Sequence, residues 1–119
     1  RDFLSLDGLW RFRADPNDLG RRERWYEGLR TDLRIAVPGS WNEQLAEQGL
    51  MTYAGAAWLE TEVFVPASFA GRRLALYFGC ADFFAEVWAD GVLVGQSTSL
   101  FLPFEADISR VAQPGSMLR

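Results

Sequence analysis

The sequence has 119 residues, of which 49% are hydrophobic and 14% aromatic, and its formal net charge is −4 at pH 7. This length suits one globular domain, and the acidic balance argues against nucleic acid as a partner because nucleic-acid binding needs clustered basic charge. The chain contains no His and no Lys, so the commonest general base and the Schiff-base amine are both absent. No apolar run reaches the roughly 18 residues of a membrane helix.

The single cysteine, Cys80, excludes an internal disulfide and a Cys-cluster zinc site. It lies between apolar segments, so we predict a small buried hydrophobic residue. A lone thiol fits a reducing compartment, and we expect a cytoplasmic location. Nothing in the sequence calls for a cofactor or a metal ion.

The first half of the chain contains two predicted strands separated by a long connection. Residues 9–13 alternate polar and aromatic side chains, which is typical of a half-buried strand. Residues 15–34 are polar and charged and predict a surface connection with some helical turn. Residues 35–37 form a strand that ends at Pro38-Gly39. Residues 43–48 are predicted to form one or two helical turns.

The second half alternates more clearly. Residues 58–65 predict one strand, with Val63 and Val65 on one face, that ends at Pro66. Residues 73–78 alternate again and place Leu74, Leu76 and Phe78 on a common face. The short strands and frequent turns favour a β-sandwich or barrel.

Asp90-Gly91 is the strongest hairpin motif in the chain, and it joins predicted strands at residues 84–89 and 92–94. The second of these strands is expected to stop at Gly95. A further apolar run covers residues 100–104. Residues 117–119 begin another strand whose sheet would stop there with an unpaired edge, so we expect the chain to be a piece of a longer polypeptide.

The chain has 16 Asp and Glu residues, and a pair of carboxyl groups can act as the acid/base pair of a glycosidase. Asn42-Glu43 is the dipeptide that carries the acid/base in many barrel glycosidases, but here it follows a Pro-Gly turn and opens a predicted helical segment. An acidic residue suits a helix N-terminus, so we favour a structural role for Glu43. Three other carboxylates could ligate a hard cation, although no ligand-loop spacing supports this. They are Asp82, Asp90 and Asp107.

Five tryptophans raise the possibility of a surface on which a sugar stacks. Trp10, Trp58 and Trp88 lie within predicted strands, where core packing is the commoner role. The aromatic residues of the connections are better candidates for exposure at a rim or an interface, and they are the candidate carbohydrate contacts. They are Trp25, Tyr26 and Trp41.

A series of motifs in fixed order covers nearly the whole chain and resembles glycoside hydrolase family 2. The main members of the series are Leu6-Asp7-Gly8-Leu9-Trp10, Val37-Pro38-Gly39-Ser40-Trp41-Asn42-Glu43, Tyr53-Ala54-Gly55-Ala56-Ala57-Trp58, Ala85-Glu86-Val87-Trp88-Ala89-Asp90-Gly91 and Pro103-Phe104-Glu105-Ala106-Asp107-Ile108. Each motif is short, but their order and spacing make the combined match specific. The Tyr53 stretch and the Trp25 region are most similar to the β-glucuronidase branch.

The resemblance implies that residues 1–119 are the N-terminal sugar-binding domain of a retaining exo-glycosidase acting on β-D-glucuronides. That domain is a jelly-roll, galactose-binding-like β-sandwich, and the chain would lack its last strands. In the family, an immunoglobulin-like domain and a TIM barrel follow it, and the barrel carries both catalytic glutamates. The resemblance therefore implies no catalytic residue in this chain, a carbohydrate substrate, and homo-oligomers of the full-length protein.

Some positions depart from the family pattern. Leu59 and Thr61 stand where the family has Tyr and Arg, and Ser97 and Ser99-Leu100 stand where it has His and a Gly-Gly pair. Losing the glycines removes a positive-φ option, so this loop is expected to follow a different path. These changes leave the exact substrate open.

Two alternatives to an accessory domain of a β-glucuronidase remain. One is a free-standing carbohydrate-binding module. The other is a structural domain that packs against a TIM barrel or a subunit of a β-galactosidase-like enzyme.

Overall fold

A computed structural model describes residues 3–37, 44–45, 56–78, 85–97 and 103–119. This part of the chain consists mostly of strands, with single 3-10 turns at Trp25–Glu27 and Ala67–Phe69 and a helical residue at Gln44, which confirms the all-β prediction. The strands are β1 (Gly8–Ala14), β2 (Arg34–Val37), β3 (Ala57–Glu60), β4 (Val63–Phe64), β5 (Ala75–Phe78), β6 (Ala85–Ala89), β7 (Val92–Ser97), β8 (Phe104–Asp107) and β9 (Met117–Leu118). They fall into two compact units, Arg1–Thr61 and Glu62–Arg119.

The first unit is an antiparallel sheet of order β2-β1-β3. Its alternating side chains bury one face, where Phe12, Ile35 and Leu45 form the core. Trp10 pairs with Ile35 in the register of β1 and β2. The predicted strands at residues 9–13 and 35–37 are thus confirmed.

The prediction of one strand over residues 58–65 is wrong, because the chain changes partners within it. β3 pairs with β1, whereas β4 pairs with β9 in a separate sheet. The alternation persists after the break, since Val65 is buried and Phe64 is exposed. An alternating pattern reports which face is buried, but not which strand is the neighbour.

The second unit consists of three antiparallel pairs, β4-β9, β5-β8 and β6-β7. Leu74 and Leu76 pack against its core, as the alternation over residues 73–78 predicts. The predicted strand at residues 117–119 is present as β9, and it is paired with β4. The buried core residues are Val65, Ala89, Ile108, Ala112 and Leu118.

The hairpin of β6 and β7 has the turn that its sequence predicts. Asp90 and Gly91 have φ angles of 48° and 81°, as a type I′ turn requires. The prediction that β7 stops at Gly95 is wrong, since the strand continues to Ser97. Gly95 instead marks a close approach, because a Cβ atom there would lie 2.9 Å from the Cβ of Ala106.

Several predictions fall on residues outside the described ranges. They are the turn at Pro38-Gly39, most of the helical turns at residues 43–48, the burial of Cys80, and the run and altered loop at residues 98–102. In the ranges that are described, no helix is long and apolar enough to cross a membrane.

Candidate functional site around Asp15

The connection between β1 and β2 is organised by a buried carboxylate at the end of β1. Asp15 is only 2% exposed. Its Oδ1 accepts a hydrogen bond from the backbone N–H of Leu19 (2.7 Å), and its Oδ2 accepts one from the N–H of Gly20 (2.8 Å). The same Oδ2 accepts the indole N–H of Trp58 on β3 (3.0 Å). One side chain thus fixes the start of the connection to a neighbouring strand.

The environment of Asp15 favours its charged form. Burial by itself raises the pKa of a carboxyl group, but the hydrogen bonds from Leu19, Gly20 and Trp58 outweigh burial here and lower the pKa of Asp15. The guanidinium of Arg13 adds to the lowering. Asp15 is therefore a carboxylate at neutral pH, poorly suited to donate a proton as a general acid.

The lowered pKa of Asp15 predicts a loss of stability in acid. The pKa of an unfolded Asp is about 3.9, and a group with a lower pKa in the fold stabilises the fold above that value. This contribution disappears as the pH falls through the folded-state pKa. We expect the free energy of unfolding in urea to fall less on acidification in Asp15→Asn than in the wild type. If the free energy of unfolding fell equally with pH in Asp15→Asn and in the wild type, the charge of Asp15 would not have this stabilising role.

An aromatic cluster packs over the same part of the sheet. The ring centroids of Trp25 and Trp58 are 6.1 Å apart in an edge-to-face arrangement, and those of Tyr26 and Trp58 are 6.4 Å apart. The Arg13 guanidinium lies 3.7 Å from the centroid of the Trp25 ring, a cation–π contact. The Trp25 indole N–H donates to Glu23 (3.0 Å). Since Arg13 pairs with Trp58 in the β1–β3 register, the strands bring both residues beneath the connection.

Glu60 ties the far end of the connection to the same sheet. Its Oε2 lies 2.6 Å from a guanidinium nitrogen of Arg11 on the adjacent strand, and its Oε1 accepts the backbone N–H of Leu29 (3.0 Å). Asp15 and Glu60 thus both hold backbone and strands together. The arrangement is that of a structural scaffold.

The candidate carbohydrate-contact residues differ in their exposure. Trp25 is buried, at 7% exposed, so our expectation that it would be exposed is wrong. Its ring is covered by the Arg13 guanidinium and is packed edge to face with the ring of Trp58. Tyr26 is half-buried, and Trp41 lies outside the described ranges. The role of these three residues as carbohydrate contacts stays a prediction.

Asp15 was not singled out from the sequence, although a local signal exists. An Asp that ends a strand and precedes Pro16-Asn17 can accept hydrogen bonds from the backbone of the following turn. The prediction that residues 15–34 form a connection with some helical turn is confirmed by the 3-10 turn at Trp25–Glu27. It misses the burial of Trp25 and Leu29.

The described residues contain no group of three or more His, Cys, Asp or Glu side chains that could hold a metal ion. The carboxylate of Asp90 accepts the backbone N–H of Arg119 (2.9 Å). That of Asp107 accepts the N–H of Ser109 (2.8 Å) and lies 3.2 Å from Nε of Arg73. Asp82 and Asn42-Glu43 lie outside the described ranges.

The described residues form an all-β domain in which Asp15 and Glu60 hold the connection between β1 and β2 to its sheet. The sequence model described as "Glycosyl hydrolases family 2, sugar binding domain" matches residues 3–118, and the chain belongs to this family. The match spans both compact units.

Individual relatives are β-glucuronidases. The chain is 42% identical to the β-glucuronidase of Paenibacillus borealis over 97% of its own length, and 39% identical to that of Canis lupus familiaris over 98%. The crystal structure of Ruminococcus gnavus β-glucuronidase matches 97% of the chain with a TM-score of 0.91 at 34% identity. In each comparison the chain spans only 20% of the relative's length.

Proposed function

We propose that this chain is the non-catalytic N-terminal sugar-binding domain of a retaining exo-glycosidase that hydrolyses β-D-glucuronides. The observation that carries the proposal is the 42% identity to a β-glucuronidase over 97% of the chain. The 34% identity and TM-score of 0.91 to the Ruminococcus gnavus enzyme support the same branch of the family.

The catalytic groups of such an enzyme would lie elsewhere in the polypeptide. A retaining glycosidase needs two carboxyl groups about 5–5.5 Å apart on either side of the scissile bond. The carboxylates of Asp15 and Glu60 are instead occupied by backbone N–H, indole and guanidinium groups. We assign both catalytic glutamates to a TIM barrel, preceded by an immunoglobulin-like domain, as the family resemblance implies.

Within this proposal, residues 1–119 form one domain, incomplete at its last strands, whose role is to support the other domains. The match of the family to residues 3–118 supports one domain. Of the predicted rim residues, Tyr26 and Trp41 remain the candidates for carbohydrate contact, because Trp25 offers no free ring face for stacking. We also propose that the full-length enzyme is a homo-oligomer and that it is located in the cytoplasm. The lone cysteine supports the cytoplasmic location, because a free thiol fits a reducing compartment.

The burial of Trp25 also favours a scaffold over a free-standing carbohydrate-binding module. Such a module needs aromatic faces open to solvent so that a sugar ring can stack on them. Here the cluster is closed by its own contacts, since Arg13 lies over Trp25 and the ring of Trp58 lies against it.

The proposal is tested by a substrate panel with the full polypeptide that contains this chain. We expect hydrolysis of p-nitrophenyl β-D-glucuronide with retention of the anomeric configuration. The β-galactoside and β-mannoside of the same aglycone, which lack the carboxylate, serve as matched controls and should be far poorer substrates. A higher kcat/KM on either control would assign the enzyme to another branch of the family.

A further inference from the structure

The first sheet ends on one side at β2, and the backbone of this strand faces away from the sheet at Ala36. Within the described part of the chain, β2 pairs only with β1. The N–H of Phe12 on β1 donates to the carbonyl of Leu33, just before β2, and the bonding direction alternates along an antiparallel pair. The register therefore turns the N–H and C=O of Ile35 toward β1 and those of Ala36 outward.

The side chain of Gln44 binds both of these outward backbone groups. Its Oε1 accepts the N–H of Ala36 with 2.5 Å between oxygen and nitrogen, and its Nε2 donates to the carbonyl of Ala36 at 3.1 Å. A primary amide has an acceptor oxygen and two N–H donors on adjacent atoms. It can therefore make the two hydrogen bonds that one residue of an added antiparallel strand would make. Gln44 thus occupies the place of one residue of a neighbouring strand.

The next residue, Leu45, holds Gln44 beside the strand. Gln44 is exposed, whereas Leu45 is buried and packs in the core of the first unit with Phe12 and Ile35. Burial of the leucine side chain contributes the free energy that keeps this segment on the sheet. The amide of Gln44 therefore stays within reach of Ala36.

The other outward residue of β2 is Arg34, two positions before Ala36. It is exposed, and its side chain carries a positive charge. Charged side chains on an edge strand hinder the pairing of that edge with another chain. Both outward positions of β2 thus carry features that oppose edge-to-edge pairing, a charge at Arg34 and a bound amide at Ala36.

We propose that the Gln44 amide closes the edge of β2 against strand addition by a second copy of this chain. Strand addition relies on main-chain hydrogen bonds, so an identical edge is a suitable partner. In an antiparallel pair of two β2 strands related by a two-fold axis, the Ala36 residues of the two copies would exchange both hydrogen bonds. The Gln44 amide makes those two bonds within one chain. This role concerns the association of the protein and does not depend on its proposed enzymatic activity.

The experiment compares Gln44→Ala with the wild type in the full polypeptide that contains this chain, by sedimentation velocity over a wide range of protein concentration. We expect the mass of the variant to rise above that of the wild type as the concentration increases. Gln113→Ala removes the amide of another exposed glutamine and should keep the wild-type mass at every concentration. A Gln44→Ala variant that keeps the wild-type mass throughout would refute the proposal.

Hydrogen exchange of the β2 amides in the same samples distinguishes edge pairing from association through another surface. In the dilute Gln44→Ala variant, the N–H of Ala36 should exchange several-fold faster than in the wild type, because it has lost its acceptor. Where the variant associates, this exchange should slow again, because a second copy supplies the acceptor. Association without renewed protection of β2 would contradict the proposal. Unchanged exchange in the dilute variant would also contradict it, because another strand of the full polypeptide would then cover the edge.

Discussion

Replacing Asp15 with alanine is expected to destabilise the fold by about 3–5 kcal/mol, because three donors lose their acceptor in a buried site. The donors are the backbone N–H groups of Leu19 and Gly20 and the indole N–H of Trp58. A buried donor without a partner costs about 1–3 kcal/mol, and the missing side chain also leaves a cavity. The measurement is urea unfolding at neutral pH, followed by tryptophan fluorescence.

Two variants separate the role of Asp15 from a general effect of charge. Asp32→Ala removes a carboxylate from an exposed position of the same connection and should change stability by less than about 0.5 kcal/mol. Asp15→Asn keeps the shape and one acceptor oxygen but directs an amide N–H toward a donor, so its cost should lie between the two. An Asp15→Ala variant as stable as Asp32→Ala would show that the network does not hold the connection.

Substituting Gly20 with alanine is expected to cost about 2–4 kcal/mol, because the new methyl group would overlap the indole ring of Trp58. The ring has little room to move. Its N–H is bonded to Asp15, and the rings of Trp25 and Tyr26 lie against it. The backbone of Gly20 is also bound, since its N–H donates to Asp15 and its carbonyl accepts the N–H of Trp25 (2.9 Å). Chemical unfolding gives the free energy, and the Trp emission spectrum reports the displaced ring.

Gly28→Ala is the matched control for Gly20→Ala. Gly28 lies in the same connection and has an extended backbone, and a Cβ built there meets no atom within 4 Å. We expect its stability to stay at or slightly above the wild-type value, because alanine reduces the conformational freedom of the unfolded chain. If both glycine variants lost the same stability, the close approach of Gly20 to Trp58 would not be the cause.

Much of the fold follows from local patterns in the sequence. Alternation identifies the inward residues of β1 and β5, and Asp90-Gly91 identifies the hairpin because its two positive φ angles suit those residues. Which strands pair with each other is harder to predict from local patterns. The division of residues 58–65 between two sheets depends on β1 and β9, which are distant in sequence and which alternation does not identify.

The contacts among Asp15, Trp25 and Trp58 were harder to predict, because they join residues that are distant in sequence. Trp25 looks like a surface aromatic in a charged connection, and only the β1–β3 register places Arg13 and Trp58 beneath it. Similarly, the requirement for glycine at position 95 comes from Ala106 on another strand and not from a turn. The family relationship was accessible because it depends on the order of many short motifs, which a single sequence displays in full.

The contacts of Asp15 and Glu60 stabilise the first unit. Asp15 and Glu60 both hold the connection between β1 and β2 to its sheet. A carboxylate kept ionised by several hydrogen-bond donors stabilises structure and is a poor proton donor. These contacts stabilise the connection of the first unit, as the proposed supporting role requires.

Under the proposed function, this chain supports catalysis without performing it. The most direct test compares the full polypeptide with residues 1–119 alone, at equal molar concentration, on p-nitrophenyl β-D-glucuronide. We predict steady hydrolysis by the full polypeptide and no release of p-nitrophenol above the uncatalysed rate by the chain alone. Turnover by the chain alone, abolished by Asp15→Asn or Glu60→Gln, would overturn the non-catalytic role of this chain.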